Sequence, residues 1–402
     1  LLPAIVPAIS LGFAADTLSI DLDEGTLVTQ CRGPEGVTAA AAADLVARAV
    51  SASGHTPPLA AHVVPGDRVV IAISGEIPQS EAVRTAIVAC LERAGVGADD
   101  VTVLRADPLA GGSSSPQVEP GVLGFDPALE SGTAYLAADA AARPLYLARP
   151  LVDADVVVTV GRFGWDATLA GRSLEGELWP TFGRRADREA VAVDLLRHGR
   201  RALVDWRSGL HDITWQLGVI AGLRLVPGRA GSLHAACFGL PEEATRDARA
   251  AAEGWRPQVA EPADVAIATL STGGTRFRDL VRGVAAAARV TQPEATICLV
   301  GDVAELPGPV ISRWRQGTPL EPLLREAAAS GDPALVADAL DARFLCRGLG
   351  ERRLVLLTRL EEEAVEDLGF GHAAEAAVIE RLANRGEQVA ILHEADLMLP
   401  RL

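Results

Sequence analysis

Two hydrophobic rhythms alternate along this chain. Residues 68–74 (RVVIAIS) and 155–160 (DVVVTV) are apolar runs with no polar alternation, and 265–270, 295–301, 353–358 and 388–392 repeat the theme. Such runs suit strands covered on both faces. Between them lie stretches with helical spacing: 38–50, 78–94, 187–196, 242–253, 278–288, 319–328, 333–343 and 373–384. Strands alternating with helices predict α/β architecture with mainly parallel sheets. Two prolines within 257–262 make that segment the predicted linker. The expected layout is two α/β domains, 1–256 and a smaller 263–402, with an interdomain cleft. Residues 1–13 read as a buried first strand, 219–226 and 231–238 as a hairpin around Pro227 and Gly228, 211–218 as a helix start, and 110–116 as a flexible loop.

Composition removes several chemistries. The 402 residues contain no lysine, so all 37 basic side chains are arginine. Schiff bases, a P-loop lysine and a lysine-tethered cofactor are excluded. A net charge of −16 argues against a nucleic-acid partner. No apolar run is long enough to span a membrane, and 1–13 lacks the basic flank of a signal peptide. The five cysteines are dispersed without C-x-x-C spacing, which suits reduced thiols in a cytoplasmic protein.

In open α/β sheets, ligands bind beyond the carboxyl ends of the strands. Four loops hold that position: 74–78, 105–108, 161–176 and 272–276. They carry the carboxylates Glu76, Asp107, Asp166 and Glu175, which suit acid–base work or metal binding if they converge, and helix capping or solvent if they do not. Gly273 and Gly274 suit either an anion cradle at a helix start or an ordinary turn. Arg276 and Arg278 suit either a carboxylate clamp or a solvated surface. The seven histidines include no H-x-x-x-H or H-E-x-x-H spacing, so no metal site is predicted. Neither a G-x-S-x-G elbow nor a Rossmann glycine motif is present.

The framework stretches 58–74, 144–161, 211–243 and 272–280, in that order, resemble the nickel-pincer lactate racemase family. The resemblance implies two α/β domains around a cleft. It also implies a nickel-bearing pyridinium nucleotide attached through a lysine, histidine bases and a substrate-holding arginine. The chain departs from that pattern at each motif. The family's D-x-T-R-P loop becomes Ser74-Gly75-Glu76-Ile77-Pro78, where only the proline survives. Its histidine–arginine pair falls near Pro108-Leu109, and its proline–histidine at Gly164-Trp165. Its G-G-x-K loop falls around 172–175, with Glu175 near the lysine position, and His198 lies too far along to replace the nickel ligand. Covalent attachment of the cofactor is impossible without lysine, and no cofactor is expected. Three readings remain. The first is a racemase-like protein that has lost the pincer site and binds a small carboxylate or nucleotide in the cleft; Ser74, Trp165, Arg172, Gly273, Gly274 and Arg276 are its candidate ligand residues. The second is an active hydroxy-acid isomerase with a rewired carboxylate site. The third is a noncatalytic structural or partner subunit whose cleft is filled by Trp165, Trp179 and Phe182.

Overall fold

The computed structural model describes residues 8–13, 16–51, 56–106, 121–138, 142, 144–219 and 221–402. The first third of the chain forms β1 (Ile9–Phe13), β2 (Asp16–Ile20), β3 (Leu27–Cys31), α1 (Ala39–Ser51), β4 (Val69–Ser74), α2 (Ser80–Arg93), β5 (Val101–Ala106) and β6 (Leu123–Gly124). Next come β7 (Thr133–Ala138), β8 (Pro144–Ala148), α3 (Arg149–Val152), β9 (Val156–Arg162), β10 (Trp165–Asp166), β11 (Gly171–Arg172), α4 (Arg185–His198), α5 (Arg200–Gln216), β12 (Ala221–Pro227), β13 (Leu233–Gly239) and α6 (Pro241–Ala251). The remainder forms β14 (Ala263–Thr269), α7 (Phe277–Ala288), β15 (Thr291–Val300), α8 (Pro309–Arg315), α9 (Leu320–Ser330), α10 (Pro333–Leu349), β16 (Arg353–Leu357), α11 (Glu362–Asp367), β17 (Gly371–His372), α12 (Ala376–Ala383) and β18 (Gln388–Leu392).

Two six-stranded sheets dominate. The first has the order β13-β12-β9-β4-β5-β6 and is parallel except for the β12–β13 hairpin. The second, β17-β16-β15-β14-β18-β3, is parallel throughout. Every residue of β4 is buried, as its unbroken apolar run requires. Its two faces serve different cores. Val69, Ile71 and Ile73 pack with Val46 of α1 and Val83 and Ile87 of α2. Val70 and Ala72 belong to a core that continues into the second sheet through Ala266, Ala268 and Leu280. The small alanines of β14 on this inner face leave room for α7 to lie close to the strands.

The expected division at 257–262 does not match the sheets. β3 pairs in parallel with β18, in register from Leu27 with Gln388 to Cys31 with Leu392. Ile9, Leu11 and Ile20 of the β1–β2 hairpin pack on Val265, Ile267 and Ile391. β3 is therefore an edge strand of the second sheet, and the separate β1–β2 hairpin covers one face of that sheet. Of the buried strand expected over 1–13, Ile9–Phe13 forms β1 with alternate residues exposed, and 1–7 lie outside the described residues; the hairpin expected around Pro227 is β12–β13. Residues 211–216 end α5 rather than begin a helix, since the boundary between α4 and α5 falls earlier, at Gly199 with φ 56°. The loop expected at 110–116 lies outside the described residues. No described helix is long and apolar enough to cross a membrane.

Candidate functional site

Strands from both sheets end at one place. β4 leads into Ser74, Gly75 and Glu76; β9 ends on Arg162 and leads into the β10–β11 hairpin; β14 leads into Ser271; and the turn after β18 carries Asp396. A cavity of about 140 Å³ lies among these ends, lined in part by Glu76, Arg162, Asp166, Glu175, Arg276 and Arg282. Its position follows the rule for open α/β sheets.

Two glycines pin the loop that forms its wall. A Cβ on Gly161 would stand 2.3 Å from the Cα of Gly176, and one on Gly176 would stand 2.4 Å from the carbonyl oxygen of Arg162. Gly176 also adopts a φ of 83°, a left-handed conformation that favours glycine. The loop thus returns across the end of β9 in backbone-to-backbone contact. Glu175 and Glu177 flank the crossing. The Ser74 hydroxyl secures it further by donating to the carbonyl of Glu177 at 2.9 Å.

A charge network fills one side of the cavity. Arg162 pairs with Glu175. From α7, Arg282 pairs with Glu175 at 2.8 Å, Asp166 at 3.2 Å and Asp279 at 3.8 Å. The Arg282 side chain is only 13% exposed, so these contacts are poorly screened. Asp166 also accepts the Thr168 backbone N–H at 2.8 Å. Burial pushes the Glu175 carboxyl up, but the Arg162 and Arg282 guanidiniums outweigh it and hold the group well below the usual carboxylate range. Asp279 is raised by burial despite Arg282 beside it. Asp396 accepts the backbone N–H and the hydroxyl of Ser271, both at 2.7 Å, yet burial and the nearby Asp279 push its carboxyl up to about 6. Between α7 and α10, Arg278 pairs with Asp341 at 3.3 Å, and burial raises Asp341 to about 6.

Six of the residues singled out in the sequence line this cavity: Glu76, Asp166, Glu175, Gly273, Arg276 and Arg278. Glu76 and Arg276 face each other at 3.7 Å, both exposed. Gly274 does not form an anion cradle, since its N–H donates to the Ser271 carbonyl at 2.9 Å in an ordinary turn. The start of α7 is already served by carboxylates: Asp279 accepts the Arg276 N–H at 3.1 Å, and Glu305 accepts the Phe277 N–H at 2.9 Å. Ser74 is buried with its hydroxyl engaged. Arg172 lines a different cavity. Asp107, like the Pro108-Leu109 position, lies outside the described residues.

The aromatic side chains expected to plug a cleft pack elsewhere. Trp165 is buried, with its indole N–H donating to the Ala252 carbonyl at 2.9 Å and its ring edge-on to Phe163. Phe182 is fully buried, and Trp179 packs against the same core. None of the three lines the cavity. The residues that sequence reasoning missed are Arg162, Asp279, Arg282 and Asp396. One signal was available: Arg278, Asp279 and Arg282 are spaced to share one face of α7, a charged stripe beside its apolar one.

The site does not fit a nickel-pincer nucleotide. No lysine exists to carry it, and no histidine or cysteine is among the lining residues. Glu175, near the expected lysine position, is instead clamped between two guanidiniums. Among the described residues, no group of three or more histidine, cysteine, aspartate or glutamate side chains is placed to hold a metal ion.

No family model matches the chain, and no curated protein matches it. Solved structures do resemble it, and they share the two-sheet fold of lactate racemase. The lactate racemase apoprotein from Thermoanaerobacterium thermosaccharolyticum superposes with a TM-score of 0.75 at 15% identity, over 98% of this chain and 100% of its own. A protein from Thermotoga maritima superposes with a TM-score of 0.62 at 12% identity, over 92% of this chain and 99% of its own. At such identities the likeness establishes the fold alone.

Proposed function

We propose that this chain is a lactate-racemase-fold protein that has left nickel-pincer chemistry and binds a small carboxylate between its two sheets. The observation that carries the reading is Glu175, locked by Arg162 and Arg282 near the position where the family attaches its cofactor. An ion pair there replaces a covalent anchor and ties the first sheet's loop to α7. Arg276, loosely held by the exposed Glu76, is the group a ligand carboxylate would recruit, since a bidentate guanidinium pair is stronger than the 3.7 Å contact it would displace. Thr168 and Ser271 add hydroxyls to the lining, and the small cavity suits a ligand of a few carbon atoms.

The test is calorimetric titration with short hydroxy- and keto-carboxylates at low ionic strength. Saturable binding that weakens in Arg276→Gln supports the reading. Binding by none of them, or equal affinity in the variant, overturns it. Stoichiometric nickel in protein purified from its native host would overturn the loss of pincer chemistry.

A rewired isomerase is the second reading, favoured by Asp396. Its carboxyl, raised to about 6 at the cavity wall, is suited to exchanging a proton near neutral pH. Incorporation of solvent deuterium at the α-carbon of a bound acid would select it.

A further inference from the structure

A second and larger cavity, of about 400 Å³, lies on the other side of the β10–β11 hairpin. Five arginines line it: Arg172 from β11, Arg207 from α5, Arg224 from β12, and Arg246 and Arg249 from α6. Only two carboxylates, Glu177 and Glu242, are among its lining residues. Glu177 is shared between Arg172 at 2.6 Å and Arg224 at 3.0 Å, and Glu242 meets His211 at 2.8 Å. Arg246 pairs with its neighbour Asp247 at 3.3 Å, whereas Arg249 makes no ion pair among the described residues.

This concentration runs against the charge of the chain, which is −16 overall. Like charges brought together at a half-buried site repel, and burial adds to the cost. The Arg172 guanidinium shows both effects: burial and then the nearby Arg224, Arg207 and Arg249 draw its pKa below the ordinary arginine value, against the pull of Glu177. Hydrogen-bonding capacity is left over as well. Thr159 Oγ1 and Arg224 Nε are buried with no hydrogen-bond partner among the described residues, and both residues line the cavity.

We infer that this cavity is an anion site for a small phosphorylated ligand, a phosphate monoester whose phosphate sits among Arg172, Arg224 and Arg249. Guanidiniums arriving from several elements call for an acceptor with oxygens in several directions. A phosphate dianion offers three such oxygens and more charge than a single carboxylate. The volume exceeds what phosphate alone needs, and Leu178, Leu210 and Pro241 supply apolar wall for an organic remainder. The inference does not depend on the carboxylate reading of the smaller cavity, because the two sites share no lining residue.

The experiment is isothermal titration of the full chain with inorganic phosphate, with citrate and sodium chloride as comparison anions. Phosphate is expected to bind saturably, more tightly than citrate and more weakly as salt rises. Arg249→Gln, at an exposed position, and Thr159→Val, near-isosteric, are each expected to weaken phosphate binding about tenfold, the loss of one charge-assisted or buried hydrogen bond. Arg276→Gln, in the other cavity, is expected to leave it unchanged. No saturable phosphate binding overturns the inference. So does unchanged affinity in both Arg249→Gln and Thr159→Val, or tighter binding of citrate, which would reassign the cavity to polycarboxylates.

Discussion

Arg282→Gln is the sharpest probe of the network between the sheets. Arg282 meets Glu175, Asp166 and Asp279 at 2.8, 3.2 and 3.8 Å, with its side chain 13% exposed. Glutamine keeps some length and hydrogen-bonding capacity but removes the charge. Breaking a buried ion pair by deleting one partner costs about 3–5 kcal/mol, because the remaining charge stays desolvated. Each carboxylate keeps a second partner: Arg162 for Glu175, the Thr168 N–H for Asp166 and the Arg276 N–H for Asp279. The expected loss is therefore near the lower bound, ~3 kcal/mol. It also depends on pH. Without Arg282 the Asp279 carboxyl, already raised by burial, rises further, and acid relieves the penalty by protonating it. Urea unfolding of wild type and variant at pH 8 and pH 5, followed by tryptophan fluorescence, measures both effects. A loss below ~1 kcal/mol at pH 8 would show that the network is solvated. An equal loss at both pH values would refute the electrostatic cause.

Wild-type stability should peak at mildly acidic pH. Asp396 and Asp341, raised to about 6, and Glu394, raised to about 7, are all carboxyls lifted chiefly by burial; they contribute stability below their unfolded pKa values that is lost as pH rises through 6 to 7. Glu175 is depressed and does the reverse, losing its contribution as pH falls below the ordinary carboxylate range, while buried His393, lowered to about 4, favours the fold above that value. Urea midpoints across pH 4 to 8 should therefore fall toward the alkaline end, and Asp396→Asn should flatten that fall; a midpoint that climbs steadily to pH 8 would contradict this. Gly176→Ala combines a clash at 2.4 Å with a left-handed backbone, and should cost more than the ~1–3 kcal/mol of backbone strain alone, seen as a lower thermal midpoint; an unchanged midpoint would mean the loop is not pinned. Trp165→Phe keeps the apolar packing but leaves the Ala252 carbonyl without its donor, for an expected loss of ~1–3 kcal/mol in urea unfolding; no loss would mean that water reaches the carbonyl.

The strands and helices legible in the sequence are those with strong periodicity and complete burial. β4 and β9 announce themselves as runs of valine and isoleucine, and the structure buries both faces of each. β3 does not, because four of its five residues are exposed at a sheet edge and its partner strand lies at the far end of the sequence. Loop position beyond the strands was enough to bring Glu76, Asp166, Glu175 and Arg276 to one cavity. What each carboxylate does there was not legible, since that depends on Arg162 and Arg282, whose approach is a matter of tertiary packing. The aromatic plug failed for the same reason: hydrophobicity marks Trp165 as buried but says nothing of which core it enters. Arg172 was separated from the other candidates by the short β10–β11 hairpin, whose two strands place Asp166 and Arg172 on different cavities.

The pairing of β3 with β18 also has a kinetic side. As the chain emerges during synthesis, Leu27–Cys31 has no strand to join until Gln388–Leu392 appears, after nearly everything else has been made. The second sheet is closed by the most sequence-distant pairing among the described strands, the kind whose loop-closure cost slows folding. Until β3 docks on it, β18 has no neighbour on one side, and a bare strand edge is a template for other chains. A fragment beginning at the linker would keep that edge permanently open and would be prone to self-association, so any dissection of this protein has to carry residues 9–31 along with the second sheet.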